Sequence, residues 1–230
     1  KVGMYSIFRV CTLIFEADTQ RWRDGLAIVA ALSMVVGVLG AASQQNVRRI
    51  LAFHSVSQMG YILMGLVIGT PAGLAAGVFF FLHHGLVKSN LFLAAGAMHA
   101  ATEGRSLAEE RLSGLMQRSP WLAAAFLVTA LSLAGVPPMS GFAAKLGLIV
   151  SGIDREMYWL VGVATAVGLL TTFSMTKIWA EAFWRESGDP PRTDPMPHKP
   201  VALALIAVPL TLAVLTLALG VVSGPVLAWC

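Results

Sequence analysis

The sequence has few charged residues and lacks the alternation of apolar and polar residues that a membrane β-barrel requires. Asp, Glu, Lys and Arg make up 12% of its 230 residues, whereas soluble domains contain about a quarter. Hydrophobic residues make up 57%, and the mean hydropathy is +0.74. This balance excludes an ordinary soluble domain and predicts an α-helical protein embedded in a membrane.

Cysteines are scarce, and motifs that bind a cofactor are absent. Cys11 and Cys230 lie near opposite ends of the chain, without the CxxC or Cys/His spacing of a zinc or cluster site. The sequence contains no flavin, quinone or iron–sulfur motif. We therefore interpret the cysteines as packing residues and expect no metal and no cofactor. The net charge of +4 is modest and lies in loops, which argues against a nucleic-acid partner.

Long apolar segments recur along the whole chain. A helix of about 20 apolar residues crosses the roughly 30 Å hydrocarbon core of a bilayer. The segments cover residues 2–15, 25–43, 50–68, 73–98, 121–153, 158–184 and 201–222. They predict an all-α polytopic membrane protein, with a single transmembrane domain over residues 1–230 and about seven transmembrane helices.

Two polar stretches separate some of these segments. Residues 99–119 combine charged side chains with leucines at a spacing typical of a short amphipathic helix at the membrane interface. Residues 185–200 contain five prolines, which predicts an extended loop. Lys and Arg are concentrated in the loops after the second, fourth and sixth segments. The positive-inside rule therefore predicts that these loops are cytoplasmic.

Ionisable residues inside the apolar segments are the strongest functional signal, because a charge at the bilayer centre costs at least about 3 kcal/mol. His84 and Lys88 lie four residues apart in the fourth segment and share one helix face. Burial favours their uncharged forms, which allows proton exchange near neutral pH. The alternative is that Lys88 reaches the interface and the histidines only bond between helices. The central position of Lys88 favours a proton or cation path, whereas no role is predicted for His83 and Asn90.

The fifth segment contains a predicted helix break. Gly135, Pro137, Pro138 and Gly141 interrupt an otherwise apolar run, and a double proline cannot continue a helix. Non-helical backbone is tolerated at membrane depth only where it is buried in protein or lines a hydrated cavity. Lys145 follows one to two turns later. We predict that the break and this lysine act together in storing, gating or releasing a proton.

A polar patch surrounds His54 near one end of the third segment. Because this position is closer to the interface, two interpretations remain open. His54 either connects one side of the membrane with the interior or forms a hydrogen bond between helices.

Four stretches of the chain resemble the antiporter-like membrane subunits, the family that includes the large subunits of Mrp-type Na⁺/H⁺ antiporters and the proton-pumping subunits of respiratory complex I. The stretches are residues 1–10, 49–61, 83–92 and 133–145, and the resemblance covers essentially the whole chain. Residues 174–184 are most similar to the D subunit of the Mrp complex. The resemblance implies a fold of fourteen helices in two inverted five-helix repeats, in which this chain forms helices eight to fourteen.

The resemblance also implies roles for individual residues. Lys1 matches a lysine that opens the eighth helix and links two half-channels. Lys88 matches the central channel lysine, and Lys145 the terminal lysine of the discontinuous twelfth helix. His84 matches the histidine beside the central lysine, and His54 matches one found in Mrp-like members. These five residues are the predicted proton-transfer groups.

The family's remaining proton residues, a glutamate on the fifth helix and a lysine on the seventh, would lie upstream of Lys1. The sequence opens on Lys1 rather than on Met and enters an apolar run directly, and no signal peptide can be recognised. We therefore expect that the natural chain begins earlier and that this part alone does not pump protons.

Three functions remain open. The first is a proton-translocating subunit of a multisubunit Na⁺/proton antiporter, which is an ion transporter and not an enzyme. The second is a proton-pumping subunit of NADH-quinone oxidoreductase or of a membrane-bound hydrogenase, with redox chemistry confined to partner subunits. The third is a membrane scaffold whose buried charges only pair with neighbouring helices. The first predicts other subunits of a hetero-oligomeric complex, lipid, protons and Na⁺ as partners, in the inner (plasma) membrane of a prokaryote.

Overall fold

The computed structural model describes residues 1–14, 19–101, 116, 119–184 and 203–224. The predicted proline-rich loop 185–200 and most of the predicted polar stretch 99–119 lie outside these residues. Most of the basic loop residues lie outside them as well, so the predicted orientation rests on the sequence.

The described part of the chain contains eight α-helices and no strand, which confirms the all-α prediction. The helices are α1 (Val2–Leu13), α2 (Thr19–Ala42), α3 (Val47–Ile68), α4 (Pro71–Ala101), α5 (Pro120–Ala134), α6 (Ser140–Asp154), α7 (Tyr158–Trp179) and α8 (Leu203–Val221). A π-helical turn, Ala180–Trp184, extends α7. Four helical spans are long and apolar enough to cross a membrane: Trp22–Ala42, Val47–Ile68, Pro71–Ala101 and Tyr158–Trp184.

The predicted fifth segment, residues 121–153, consists of two helices. α5 ends at Ala134 and α6 begins at Ser140. Each helix has 15 residues and is therefore about 22 Å long, which is shorter than the roughly 30 Å hydrocarbon core. The helix is interrupted between Ala134 and Ser140, which confirms the predicted discontinuous helix.

Helix ends differ from the ends of the apolar segments. α2 begins at Thr19 rather than at residue 25, and α4 ends at Ala101 rather than at residue 98. The predicted polar stretch 99–119 therefore begins inside α4. Polar and charged residues such as Gln and Arg are good helix formers, so a membrane helix continues past its apolar part.

α3 and α4 form an antiparallel hairpin that carries three of the predicted proton-transfer residues. Gly69 ends α3 with a φ of 66°, a left-handed conformation that glycine adopts readily. Where the two helices cross, a Cβ at Gly65 would lie 2.6 Å from the Cα of Gly77, so α3 needs glycine at this contact. The ring of Tyr61 stacks on that of Phe80 with centroids 5.3 Å apart. These contacts fix which residues of α3 and α4 lie side by side.

The bundle places polar side chains inside and large apolar side chains outside. Several strongly polar residues in the middle of α3 and α4 are fully buried, namely His54, Gln58, His83, His84 and Asn90. Large apolar side chains are exposed on the outer helix faces, among them Leu32, Val36, Leu169, Phe173 and Val214. This is the arrangement expected of a helical bundle surrounded by lipid.

Candidate functional site

Lys88 lies in the interior of the bundle, where α4 packs against α3. Its side chain is 5% exposed, and its ammonium group donates a hydrogen bond of 2.5 Å to the carbonyl oxygen of Leu51. Its Nζ atom also lies 5.9 Å from the ring centroid of Phe92, within the range of cation–π attraction. Neither partner carries a formal charge. The two partners therefore hold the ammonium without the stronger pairing that a carboxylate would add.

His84 precedes Lys88 by one helical turn and is fully buried. Neither of its ring nitrogens has a hydrogen-bond partner within the described residues. Each imidazole nitrogen is a donor or an acceptor, and a buried group of this kind costs about 1–3 kcal/mol when it is left unpaired. His84 therefore offers two unused hydrogen-bonding positions beside the lysine.

Lys1, which immediately precedes α1, reaches the same part of α4. Its Nζ atom lies 6.0 Å from the ring centroid of Phe81. A Cβ at Gly85 would lie 3.3 Å from this Nζ atom, so the missing side chain of Gly85 leaves room for the ammonium group. The fold thus brings Lys1 to the stretch of α4 that carries His84 and Lys88.

At the break between α5 and α6, backbone hydrogen bonds cap the carboxyl end of α5. Gly135 has a φ of 91°, and only glycine adopts this region readily. Its N–H donates to the carbonyl oxygens of Leu131 and Ser132 at 3.0 and 3.1 Å. The N–H of Val136 also donates to Leu131, at 3.0 Å, which completes a Schellman turn. Two of the four terminal carbonyls of α5 are thereby satisfied.

Lys145 of α6 satisfies the other two terminal carbonyls of α5. Its Nζ atom donates to the carbonyl oxygens of Leu133 at 3.1 Å and Ala134 at 2.7 Å, and its side chain is 8% exposed. The aliphatic part of the side chain passes over Gly135, where a Cβ would lie 2.8 Å from Cδ. A cation at the carboxyl end of a helix is also favoured by the helix dipole. The break and the lysine thus form one structural unit.

Tyr61 connects this unit with α3 and α7. The Nζ atom of Lys145 lies 5.2 Å from the ring centroid of Tyr61, and the tyrosine hydroxyl donates to the carbonyl oxygen of Ala164 at 2.5 Å. Lys145 of α6 therefore contacts groups of α3 and α5, and Tyr61 links it to α7.

His54 is fully buried between α3 and α7. Its Nε2 atom lies 2.9 Å from the hydroxyl oxygen of Ser174, so it makes a hydrogen bond between helices, one of the two arrangements predicted. Its Nδ1 atom has no hydrogen-bond partner in the described part of the chain. This unused nitrogen also fits the other predicted arrangement, in which His54 connects one side of the membrane with the interior.

His83 and Asn90, to which the sequence assigned no role, both have specific partners. The Nδ1 atom of His83 lies 2.8 Å from the hydroxyl oxygen of Ser140, the first residue of α6. The Nδ2 atom of Asn90 donates to the hydroxyl of Thr129 on α5 at 2.6 Å. The signal in the sequence was the presence of strongly polar residues in an apolar segment. Their partners lie far away in the sequence and could not be identified from it.

The two buried lysines lie at different levels of the α3–α4 hairpin. Lys88 contacts α3 at Leu51, and Lys145 contacts it at Tyr61. A helix rises about 15 Å between these two positions, so a proton cannot pass between the lysines through a single hydrogen bond. The arrangement is suited to stepwise proton transfer through intermediate groups. Among the described residues, no group of three or more His, Cys, Asp or Glu side chains could hold a metal ion.

The family of the chain follows from comparison with known proteins. Residues 1–171 match the transmembrane family described as NADH:quinone oxidoreductase/Mrp antiporter. The chain belongs to this family. The predicted resemblance to antiporter-like membrane subunits is therefore confirmed.

Individual members of the NADH:quinone oxidoreductase/Mrp antiporter family match nearly the whole chain. The D subunit of the Na⁺/H⁺ antiporter of Alkalihalophilus pseudofirmus is 42% identical over 226 residues, which cover 98% of this chain and 45% of that protein. A chain in the structure of the Mrp complex from Dietzia sp. has a TM-score of 0.88 and 37% identity, over 98% of this chain and 49% of its own length. A chain of respiratory complex I from Thermus thermophilus with bound NADH has a TM-score of 0.86 and 26% identity, over 98% of this chain and 48% of its own length.

The chain spans about half the length of these family members. The two structures named above are an Mrp complex and respiratory complex I. The family relationship thus establishes a membrane fold that is shared by ion transporters and respiratory enzymes.

Proposed function

We propose that this chain is part of the proton-translocating subunit of a multisubunit Na⁺/proton antiporter in the plasma membrane of a prokaryote. Protons pass along Lys1, His84, Lys88 and Lys145 with water between them, and His54 connects the path with one side of the membrane. Na⁺ moves in exchange. The other subunits of the complex are the partners of this chain.

The placement of Lys88 and Lys145 is the observation that carries this proposal. Both lysines are almost fully buried in a membrane bundle, and both bond to uncharged carbonyl oxygens. A permanent charge at such a position is costly, whereas an amine that gains and loses a proton is charged for only part of the time. The similarity to a protein named as the D subunit of a Na⁺/H⁺ antiporter supports the choice of an antiporter.

Repulsion between the cationic groups gives the path a way to move protons. Like charges repel more strongly in a low-dielectric interior than in water. A proton on Lys88 therefore disfavours a second proton on the nearby His84 or Lys1, and its departure toward Lys145 allows the next proton to enter. Each lysine in this scheme must be able to lose its proton.

Arginine substitution at Lys88 tests this requirement, because an arginine side chain keeps its positive charge and cannot be deprotonated in a protein. The change is made in the full-length subunit, assembled with its partner subunits in everted membrane vesicles. We expect Lys88→Arg and Lys88→Ala each to lower Na⁺-dependent proton flux by about 100-fold, the usual size of an acid–base contribution. Ser89→Ala is the matched control, because Ser89 lies on the same helix, is exposed and bonds only to its own helix.

The scaffold alternative makes the opposite prediction for Lys88→Arg. If the lysine only pairs with neighbouring groups, the arginine replaces its charge and its hydrogen bond, and flux remains at the level of Ser89→Ala. That result would exclude Lys88 from the proton path.

The structural similarity to a chain of respiratory complex I favours a second candidate, a proton-pumping subunit of a quinone-reducing or hydrogenase complex. The driving force separates the two candidates. An antiporter moves protons in vesicles in response to a Na⁺ gradient alone. A redox-driven pump moves them only when an electron donor and an acceptor are supplied.

A further inference from the structure

The proposed path has a gap between Lys88 and Lys145. Their contact points on α3 are separated by a rise of about 15 Å, whereas one hydrogen bond covers about 3 Å. His84 shares the face of Lys88, four residues away. His83 directly precedes His84 on α4. Its side chain points about 100° away from that of His84, because a helix has 3.6 residues per turn.

His83 faces the helix break and forms a hydrogen-bond chain with two serines. Its Nδ1 atom lies 2.8 Å from the hydroxyl oxygen of Ser140, and this hydroxyl lies 3.3 Å from that of Ser132. Ser140 is the first residue of α6, and Ser132 belongs to the last turn of α5. These two hydrogen bonds therefore join α4 to both halves of the broken helix.

Close packing around these hydrogen bonds leaves the ring of His83 little freedom to move. A Cβ at Gly141 would collide with the carbonyl oxygen of Ser132 and lie 3.0 Å from Cε1 of His83. The ring also packs edge-on against Phe80, with centroids 5.6 Å apart. His83 and both serines are fully buried, and Nε2 of His83 has no partner within the described ranges.

The direction of the hydrogen bonds among His83, Ser140 and Ser132 depends on which ring nitrogen of His83 carries the proton. If Nδ1 carries it, Nδ1 donates to Ser140, whose own hydroxyl is then free to donate to Ser132. If Nδ1 is bare, Ser140 donates to the ring, and Ser132 has to donate to Ser140. The serine hydroxyls at the break thus turn with the tautomer of His83. Ser132 directly precedes Leu133, whose carbonyl oxygen binds Lys145.

We propose that His83 is a positioning residue that couples the Lys88 side of the path to the helix break at Lys145 through Ser140 and Ser132. This inference rests on the proposed proton-translocating function and adds a residue to it. His83 acts through the serines and requires a hydrogen-bonding group at the position of Nδ1. It does not require a titrating ring.

Two substitutions at His83 separate this role from other roles. Asparagine places an amide nitrogen or oxygen close to the position of Nδ1, so His83→Asn keeps the bond to Ser140. Leucine has a similar size and no polar atom, so His83→Leu removes the bond. We expect His83→Leu to lower Na⁺-dependent proton flux about tenfold or more, as for the loss of a buried hydrogen bond. We expect His83→Asn to stay within about twofold of the wild type, an effect of less than about 0.5 kcal/mol.

Ser140→Ala breaks the same bond from the other side and keeps the proposal testable if His83→Leu does not assemble. It should lower flux as His83→Leu does, and the double variant should lose no more than either single variant, because both remove one interaction. Ser89→Ala on the exposed side of α4 is the control for a serine hydroxyl. Flux is measured in everted vesicles with the full-length subunit in its complex and divided by the amount of assembled complex.

Wild-type flux in His83→Leu or in Ser140→Ala overturns the proposal. Flux in His83→Asn as low as in His83→Leu also overturns it, because a titrating ring would then be needed. Lys88→Arg is measured in the same vesicles. If Lys88→Arg is inactive while His83→Leu is fully active, only the coupling role of His83 fails. If Lys88→Arg is active, the proposed function itself fails.

Discussion

The ammonium group of Lys145 caps the carboxyl end of the preceding half-helix by donating a hydrogen bond of 2.7 Å to the carbonyl oxygen of Ala134. A second bond goes to the carbonyl oxygen of Leu133. An ammonium group has three N–H donors, so one remains after both carbonyls are bound. Loss of that proton leaves a neutral amine with two donors. Lys145 can therefore exchange a proton while it keeps its hydrogen bonds to both carbonyl oxygens.

Replacement of Lys145 by methionine should destabilise the subunit. Methionine has a similar length but no donor, so the carbonyls of Leu133 and Ala134 lose their partner, at about 1–3 kcal/mol each. The buried charge is removed at the same time, which offsets part of this cost. We expect a net loss of about 1–3 kcal/mol in the free energy of unfolding of the full-length subunit in mixed detergent micelles. A more stable Lys145→Met variant would show that charge burial outweighs the two hydrogen bonds.

Replacement of Gly135 by alanine should also destabilise the break. A φ of 91° is unfavourable for a residue with a Cβ by about 1–2 kcal/mol, and the added Cβ would lie 2.8 Å from Cδ of Lys145. Na⁺-dependent flux and unfolding free energy should both fall. Gly96→Ala is the matched control, because a Cβ at Gly96 of α4 meets nothing within 4 Å. Equal effects of the two changes would contradict the role given to Gly135.

Replacement of Gly220 by alanine should disturb the break from the side of α8. A Cβ at this position would collide with the carbonyl oxygen of Pro138 and lie 2.6 Å from the backbone nitrogen of Ser140. Overpacking of this kind costs about 1–3 kcal/mol. Gly162→Ala on the exposed face of α7 has open space and should be neutral or stabilising by up to about 1 kcal/mol. Unfolding measurements on the two variants, side by side, check the difference in sign.

The pair of Asn90 and Thr129 should show energetic coupling in a double-mutant cycle. Their side chains share a hydrogen bond of 2.6 Å between α4 and α5. Bonds of this kind between membrane helices have an average coupling of about 0.6 kcal/mol. Asn90→Ala and Thr129→Val are combined, and unfolding free energies are measured. The control cycle pairs Asn90 with Thr165, which is exposed and bonds only within α7, so its coupling should be near zero.

Several features of the fold were predictable because they depend on local sequence. The scarcity of charge and the length of the apolar segments predicted membrane helices, since an unpaired backbone is excluded from lipid. The glycines and the double proline at residues 135–141 predicted the break, because proline cannot continue a helix. The ends of α2 and α4 were missed, because helix formation depends on backbone propensity, whereas the apolar pattern reports contact with lipid.

The sequence by itself identified Lys88, Lys145 and His84 as unusual, because the cost of placing ionisable groups in an apolar segment is a property of the segment alone. It could not identify their partners. The bond of Lys145 to Ala134, and that of His83 to Ser140, each depend on how separate helices pack. Side-chain contacts across a bundle form between residues distant in the chain, and no local pattern encodes them. The sequence determined that the interior carries charge, and only the tertiary structure decided which groups hold it.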